Sequence, residues 1–294
     1  MFIKSDLAKL IPLPSSEAHK YSRGKCVLIA GSKPYPGAAC LSAWASQYVG
    51  AGYTEVFTAA QNRKVLQICR PSLVVRSFGE CDPKYLISRD HPGAVVVGPG
   101  LDSADKPARK LCLCAIRKVK HPLLLDGGAL FFVATKDGRK LLRKRASKKR
   151  VTVLTPHAGE AARLAKPVGV SLDNIYEAAA ALAKAYRAIV VLKGPETIIS
   201  DGKRTEIFSH GTPALAKAGT GDVLSGVIGG LLAQGVQPFE GLLLGVALHA
   251  EAAKIAEQEL TAVSVCAEDV LDALPLAIRL FLQRATEDKK EADR

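Results

Sequence analysis

The chain holds 294 residues, close to the limit of what one hydrophobic core encloses, roughly 250–300 residues. A hydrophobic fraction of 48% excludes disorder for most of the length, and with 5% aromatics the core must be mostly Ala, Val, Leu and Ile. The net charge of +13 favours anionic partners (nucleic acid, a membrane surface or phosphorylated metabolites) without choosing among them.

Met1 to Leu13 lacks the basic start and long apolar centre of a signal peptide. Strands are predicted at Cys26–Ala30, Glu55–Ala59, Ala94–Val97, Leu123–Leu125, Val151–Leu154, Ile189–Leu192 and Thr197–Ser200. Most are continuous apolar runs, which suit strands buried on both faces of a parallel sheet. Helices are predicted between them at Ala38–Val49, at Pro107–Val119 after Ser103 and Asp105, and at Asn174–Ala188, where Asn174 and Glu177 have capping-box spacing. This alternation argues for an α/β fold with a parallel sheet and helices on both faces. Lys136–Arg150 carries nine of the basic residues and is read as a solvated helix face, since no aromatics interleave to stack bases.

The last third predicts two very apolar helices, Asp222–Gln234 and Phe239–Glu257. Gly226, Gly229 and Gly230 inside the first cost about 1 kcal/mol each relative to Ala, which close packing against another element would explain. The apolar segments Leu224–Leu232 and Leu242–Ala250 fall short of the about 20 residues needed to span a bilayer. The tail from Thr286 to Arg294 reads as polar and frayed. Cys26, Cys40, Cys69, Cys81, Cys112, Cys114 and Cys266 include no Cys-x-x-Cys pair and read as reduced thiols of a cytosolic protein.

Chemistry concentrates in the loops that follow strands. In Ala218-Gly219-Thr220-Gly221-Asp222 a Gly-rich turn enters a helix, whose first N–H groups attract anions. Asp222 in the first turn is either a general base for a hydroxyl or a helix cap. Gly31-Ser32-Lys33-Pro34-Tyr35-Pro36-Gly37 follows the first strand but is neither a Gly-x-Gly-x-x-Gly fingerprint nor a P-loop. Gly98-Pro99-Gly100, Thr155-Pro156-His157-Ala158-Gly159-Glu160 and Lys193-Gly194-Pro195-Glu196-Thr197 each lie just past a strand. The ends of parallel strands share one sheet edge, so these loops can converge. Taken singly, His157 reads as structural and Lys193 as either a phosphate ligand or a solvated strand end.

With Leu125-Asp126 added, this order of motifs resembles the ADP/ATP-dependent NAD(P)H-hydrate dehydratases of the ribokinase-like superfamily, in their standalone form, from about His19 to Leu274. The resemblance implies a three-layer αβα fold with a mostly parallel central sheet, in one domain spanning 1–294 with a frayed tail from about 286. It implies ADP-dependent dehydration of (6S)-NAD(P)H hydrate to NAD(P)H with release of AMP and phosphate. Asp222 corresponds to the base, and Gly219, Thr220 and Gly221 to the anion hole. Lys193, Gly194, Pro195, Glu196, Thr197 and Gly221 correspond to nucleotide contacts. Ala38, Ala39, Gly100, His157 and Asp222 correspond to hydrate contacts. Mg²⁺ should bridge the donor phosphates, with Glu160 able to hold it through water.

The implied partners are NADHX, NADPHX and ADP, with no nucleic acid or membrane, in a cytoplasmic homo-oligomer that is tetrameric by resemblance. Some relatives carry an N-terminal epimerase domain, and the first motif lies too near Met1 to expect one here. The family's Asp-Ala-Asp-Ala-Leu reads Asp126-Gly127-Gly128-Ala129-Leu130, its Gly-Gly before Thr reads Ala218-Gly219, and its Gly-Asn-Pro-Gly reads Gly211-Thr212-Pro213-Ala214. The alternative is a sugar or vitamin-alcohol kinase of the same superfamily, which would leave the phosphate on its product.

Overall fold

Alternate residues of the apolar strands enter two separate cores. In β1 (Lys25–Ile29), Cys26 and Leu28 join one core, while Val27 and Ile29 join the other. The structure, a computed structural model, describes residues 4–292. Its sheet continues with β2 (Tyr53–Thr58), β3 (Val74–Ser77), β4 (Gly93–Val97), β5 (Leu123–Leu125), β6 (Thr152–Leu154), β7 (Ile189–Leu192), β8 (Thr197–Ser200) and β9 (Thr205–Phe208). The order is β3-β2-β1-β4-β5-β6-β7-β8-β9, parallel up to β7 and antiparallel across β8 and β9. The seven predicted strands are present. The outermost strands, β3 and β9, are the two that sequence reading misses. Each is four residues long and mixes polar with apolar side chains, so neither makes an apolar run.

The helices are α1 (Lys4–Ala8), α2 (Pro36–Tyr48), α3 (Arg63–Cys69), α4 (Lys106–Lys118), α5 (Gly128–Val133), α6 (Lys136–Ala146), α7 (Ala158–Ala165), α8 (Ile175–Tyr186), α9 (Thr220–Ala233), α10 (Pro238–Leu260) and α11 (Ala267–Ala292). Side chains of α2, α9, α10 and α11 fill one core, and those of α4 to α8 fill the other. The result is a three-layer αβα architecture. Helix α11 is unforeseen in the sequence and runs to Ala292, through the stretch from 286 expected to fray.

The α9 glycines have the explanation that the sequence suggests. A Cβ on Gly226 would lie 2.1 Å from the Ser42 carbonyl oxygen of α2, and one on Gly230 would lie 2.7 Å from that of Ser46. On Gly229 it would lie 2.3 Å from Val96 Cγ2 of β4. Backbone of α9 thus packs directly on α2 and on the sheet, at distances no side chain permits.

The basic segment needs a correction. Thr135 caps α6, whose Lys140, Arg143 and Lys144 are exposed, as a solvated face requires. Arg145 instead points inward and is 2% exposed. It donates to the carbonyls of Val119, His121 and Val151 and to Thr152 Oγ1, tying together the segments that enter β5 and β6. Burial, with Arg150 nearby, pushes its guanidinium down to about 9, so it stays charged at neutral pH.

Candidate active site

The strand order reverses between β1 and β4, and at such a switch point the loops leaving the two strands diverge to opposite faces and open a crevice. Two adjoining cavities lie at this carboxyl edge. One, of about 640 Å³, is lined by Tyr35, Gly100, Phe131 and Arg163 among others. The other, of about 820 Å³, runs between the Lys193–Thr197 turn and the segment from Gly211 to Asp222, with α10 behind it. Gly127, His157 and Glu160 line both. Both volumes are of the size that small ligands occupy.

Asp222 does not cap its helix. The N-cap of α9 is Gly219, held at φ +92°, where a side chain would be strained, and no side chain bonds to this helix start. The first N–H groups of any helix lack intrahelical partners, and here they belong to Thr220, Gly221 and Asp222, which line the larger cavity. Thr220 is buried, and its hydroxyl donates to the carbonyls of Leu215 and Lys217, which fixes the turn. The turn is also held from behind. Buried His249 of α10 lies with Nε2 2.9 Å from the Thr220 carbonyl oxygen. Burial pushes this imidazole down to about 4, so it is neutral, and Nε2 must carry the proton it donates.

A buried ion pair faces Asp222. Asp126, at the end of β5 and 3% exposed, accepts from Lys193 Nζ at 2.9 Å and from Thr155 Oγ1 at 2.8 Å. Its other oxygen accepts from Ser225 Oγ of α9 at 2.8 Å. Lys193 reaches across to α9, where a Cβ on Gly221 would lie 3.3 Å from its Nζ. Burial alone would lower the Lys193 ammonium, but Asp126, Glu160 and Asp222 together hold it above its ordinary value. Burial, then the negative charge of Asp126, raises Asp222 to about 7, with Lys193 opposing and Glu160 adding to the rise. Glu160 is likewise raised by burial. Three carboxylates and one ammonium thus share the cavity wall, and Asp222 is poised to exchange a proton near neutrality.

His157 caps α7. Its Nδ1 accepts from the Gly159 N–H at 3.0 Å, and Glu160 accepts from the His157 N–H at 2.9 Å. With Nδ1 accepting, Nε2 carries the proton of the neutral ring, on a side chain that lines both cavities. His157 is therefore both the structural residue that sequence suggests and a wall of the site.

Of the remaining sequence-predicted residues, Gly194, Pro195, Thr197, Gly219 and Gly221 line the larger cavity, and Gly100 lines the smaller. Glu196 turns away and accepts from the Tyr176 hydroxyl. Ala38 lies half-buried behind Gly100, where a Cβ would come within 2.7 Å of its methyl group. Ala39 is fully buried and packs under Gly31, so it belongs to the core and the structure does not bring it to either cavity. Sequence reading misses Asp126, Thr155, Ser225 and His249 as site residues. Asp126 and Thr155 stand just past strands, the same position that marks Lys193, and that signal could have found them.

The NAD(P)H-hydrate dehydratase family model matches residues 26–276. A bifunctional NAD(P)H-hydrate repair enzyme of Thermofilum pendens is 34% identical over 92% of this chain, which covers 53% of that enzyme. The chain spans about half the length of the bifunctional relatives it matches. The ADP-dependent (S)-NAD(P)H-hydrate dehydratase of Xanthomonas campestris pv. campestris is 32% identical over 90% of this chain and 91% of that one. Among solved structures, the ADP/ATP-dependent NAD(P)H-hydrate dehydratase of Bacillus subtilis, co-crystallised with ATP and Mg²⁺, has a TM-score of 0.79 at 26% identity, covering 95% of this chain and 97% of that one. A ribokinase-like superfamily protein of Enterococcus faecalis has a TM-score of 0.76 at 26% identity, with 96% of each chain covered. The fold is therefore ribokinase-like, and the chain belongs to the NAD(P)H-hydrate dehydratase family.

Proposed function

We propose that the protein is an ADP-dependent NAD(P)H-hydrate dehydratase that returns (6S)-NADHX and NADPHX to NADH and NADPH, releasing AMP and phosphate. The observation that carries this reading is Asp222, an uncapped carboxyl group beside Lys193 and a helix N-terminus, raised to about 7. The ionised carboxylate takes the proton of the hydrate hydroxyl as its oxygen bonds to the β-phosphorus of ADP, and the bond to the bridging oxygen breaks. The N–H groups of Thr220 and Gly221, with Lys193, stabilise the charge on the transferred group. The ring carbon–oxygen bond then breaks, its electrons leave on phosphate, and loss of a proton from the adjacent carbon restores the dihydronicotinamide.

The nucleotide occupies the larger cavity, against Lys193, Gly194, Pro195, Thr197 and Gly221. The hydrate reaches Asp222 past His157 and Gly100. Among the described residues no three His, Cys, Asp or Glu side chains converge as a metal cage. The donor set fits Mg²⁺ carried on the nucleotide phosphates: Glu160 would hold the ion's water shell, and the ion would neutralise phosphate charge. We place the protein in the cytoplasm, supported by seven free thiols. The homo-oligomer expected by resemblance is part of the same proposal. Among the described residues no helix is long and apolar enough to cross a membrane.

Recovery of the NADH absorbance band from hydrated NADH, dependent on ADP and stoichiometric with free phosphate, tests the reading. Phosphate retained on the organic product would establish the kinase alternative. A clear preference for ATP would overturn the choice of donor.

A further inference from the structure

Five cations that the active site does not use gather at the opposite edge of the sheet. There the starts of parallel strands lie side by side. Lys25 N–H bonds to the Pro92 carbonyl, Val95 N–H to that of Pro122, and Leu123 N–H to that of Val151. The segments feeding these strands carry Lys84, Arg89, Lys120, Lys148 and Arg150. The first four are exposed, and Arg150 is half-buried with Nη1 3.3 Å from the Arg117 carbonyl oxygen. Arg89, Arg150, Lys148 and Lys84 are close enough to Lys120 that their charge, after desolvation, holds its ammonium below the ordinary value. Among the described residues none of the five has a carboxylate at ion-pair distance. Asp82 and Asp90 share the loop, and Asp82 accepts from the Lys84 backbone N–H.

Aromatic rings stand among these charges. Tyr85 is 71% exposed, with Lys84 4.8 Å from its ring centre. Tyr21 stacks on His91 at 5.1 Å and 11°, and on Tyr53 at 5.9 Å and 23°. Lys20 lies 5.1 Å from the Tyr21 ring. The segment 136–150 has no aromatics of its own, which is why its sequence argues against base stacking. The fold supplies them from residues 21, 53, 85 and 91. Arg145 holds the segments entering β5 and β6 in place beneath this surface.

We propose that this edge binds single-stranded nucleic acid, with phosphates on Lys84, Arg89, Lys120, Lys148 and Arg150 and bases on Tyr85 and the Tyr21–His91 stack. Cations with no carboxylate partner, set beside the exposed Tyr85 ring and a stack of flat rings, match a strand whose bases are free to stack. A duplex keeps its bases stacked inside, and polyglutamate or an anionic lipid offers no ring to Tyr85. The surface faces away from the catalytic cavities, so occupancy leaves them open.

Fluorescence anisotropy of the full-length protein with a labelled single-stranded oligonucleotide, titrated over a range of salt, tests this. Five phosphate contacts at about 0.7 each predict a log–log salt slope of about −3.5. Combining Lys84→Gln, Arg89→Gln, Lys120→Gln and Lys148→Gln should flatten the slope by about 3. The control combination Lys64→Gln, Lys106→Gln, Lys110→Gln and Lys203→Gln removes the same charge from exposed positions elsewhere and should leave it nearly unchanged. Tyr85→Ala should weaken binding at least about fivefold at an unchanged slope. All of these variants should keep the cofactor-repair activity of the parent protein. Equal losses in the two four-residue variants would reduce the effect to diffuse charge and overturn the proposal. Tyr85→Ala without effect, or equal binding to duplex, polyglutamate or anionic vesicles, would overturn the nucleic-acid assignment.

Discussion

Replacing Asp222 by Asn separates catalysis from stability in opposite directions. Asn keeps the size of the side chain but cannot take a proton, so loss of a general base should lower turnover about 10²–10⁴-fold, or roughly 3–5 kcal/mol of barrier. Stability should move the other way. A carboxyl group raised from 3.8 to about 7 holds its proton longer in the folded chain than in the unfolded one. Between those two values the folded state binds more protons, so stability falls as pH rises, and the whole cost is in place above pH 7. At about 1.4 kcal/mol per unit, that cost is ~4 kcal/mol above pH 7, and under ~1 kcal/mol near pH 4. Asn does not ionise, so the variant should melt several degrees higher than the parent at pH 8, with the gap closing toward pH 4. The parent's kcat/KM should fall below about pH 7 as Asp222 protonates, and the residual activity of the variant should lack that limb. Melting curves at three pH values and a pH–rate profile suffice. A folded Asp222→Asn protein with near-normal turnover, or with a lower melting temperature at pH 8, would refute the reasoning.

Asp126→Asn leaves the Lys193 ammonium without its partner and removes one of the charges that raise Asp222. It should cost about 3–5 kcal/mol in urea unfolding and move the acid limb of the pH–rate profile to lower pH. Gly226→Ala drives a methyl group into the Ser42 carbonyl. It should destabilise the fold by about 1–3 kcal/mol or more and also slow turnover, because the displaced helix carries Asp222. Arg145→Gln strips donors from one buried and two partly buried carbonyls and should cost about 2–5 kcal/mol by chemical denaturation, with turnover at 25 °C retained. Arg143→Gln combined with Lys144→Gln, both exposed, should leave melting temperature and turnover within error of the parent.

The layered architecture is legible because a strand buried on both faces writes itself as an apolar run, as Cys26 to Ile29 and Ala94 to Val97 do. β9 is not, since its residues alternate between exposure and partial cover at the sheet margin. α11 escapes because its apolar stripe is interrupted by charges and by Pro275. At the site, Asp222 and the Gly-Thr-Gly turn stand out through local chemistry: glycine at a positive φ, then an acid in the first helical turn. Asp126 carries a local mark, its place just past a strand, but its partners lie 29, 67 and 99 residues away, and that pairing no local pattern contains. Arg145 is hidden differently. Lying among seven other basic residues between 139 and 150, it is indistinguishable from them until the fold selects one to turn inward.

The antiparallel pair β8–β9 returns the chain to the edge it left. β7 ends at the carboxyl edge of the sheet, β8 runs away from it, and β9 comes back, so that α9 starts where a helix following β7 directly would also have started. The hairpin is thus a detour with no net change of direction, and its effect is spatial. It splits an ordinary strand-to-helix turn in two, leaving Lys193–Thr197 on one bank and the 209–219 segment on the other. The space between the banks is the chamber of about 820 Å³. Shortening the hairpin would bring the banks together and close the chamber, although Asp222 itself belongs to α9 and not to the hairpin. The volume of the chamber and the chemistry of the acid are therefore encoded in different parts of the chain.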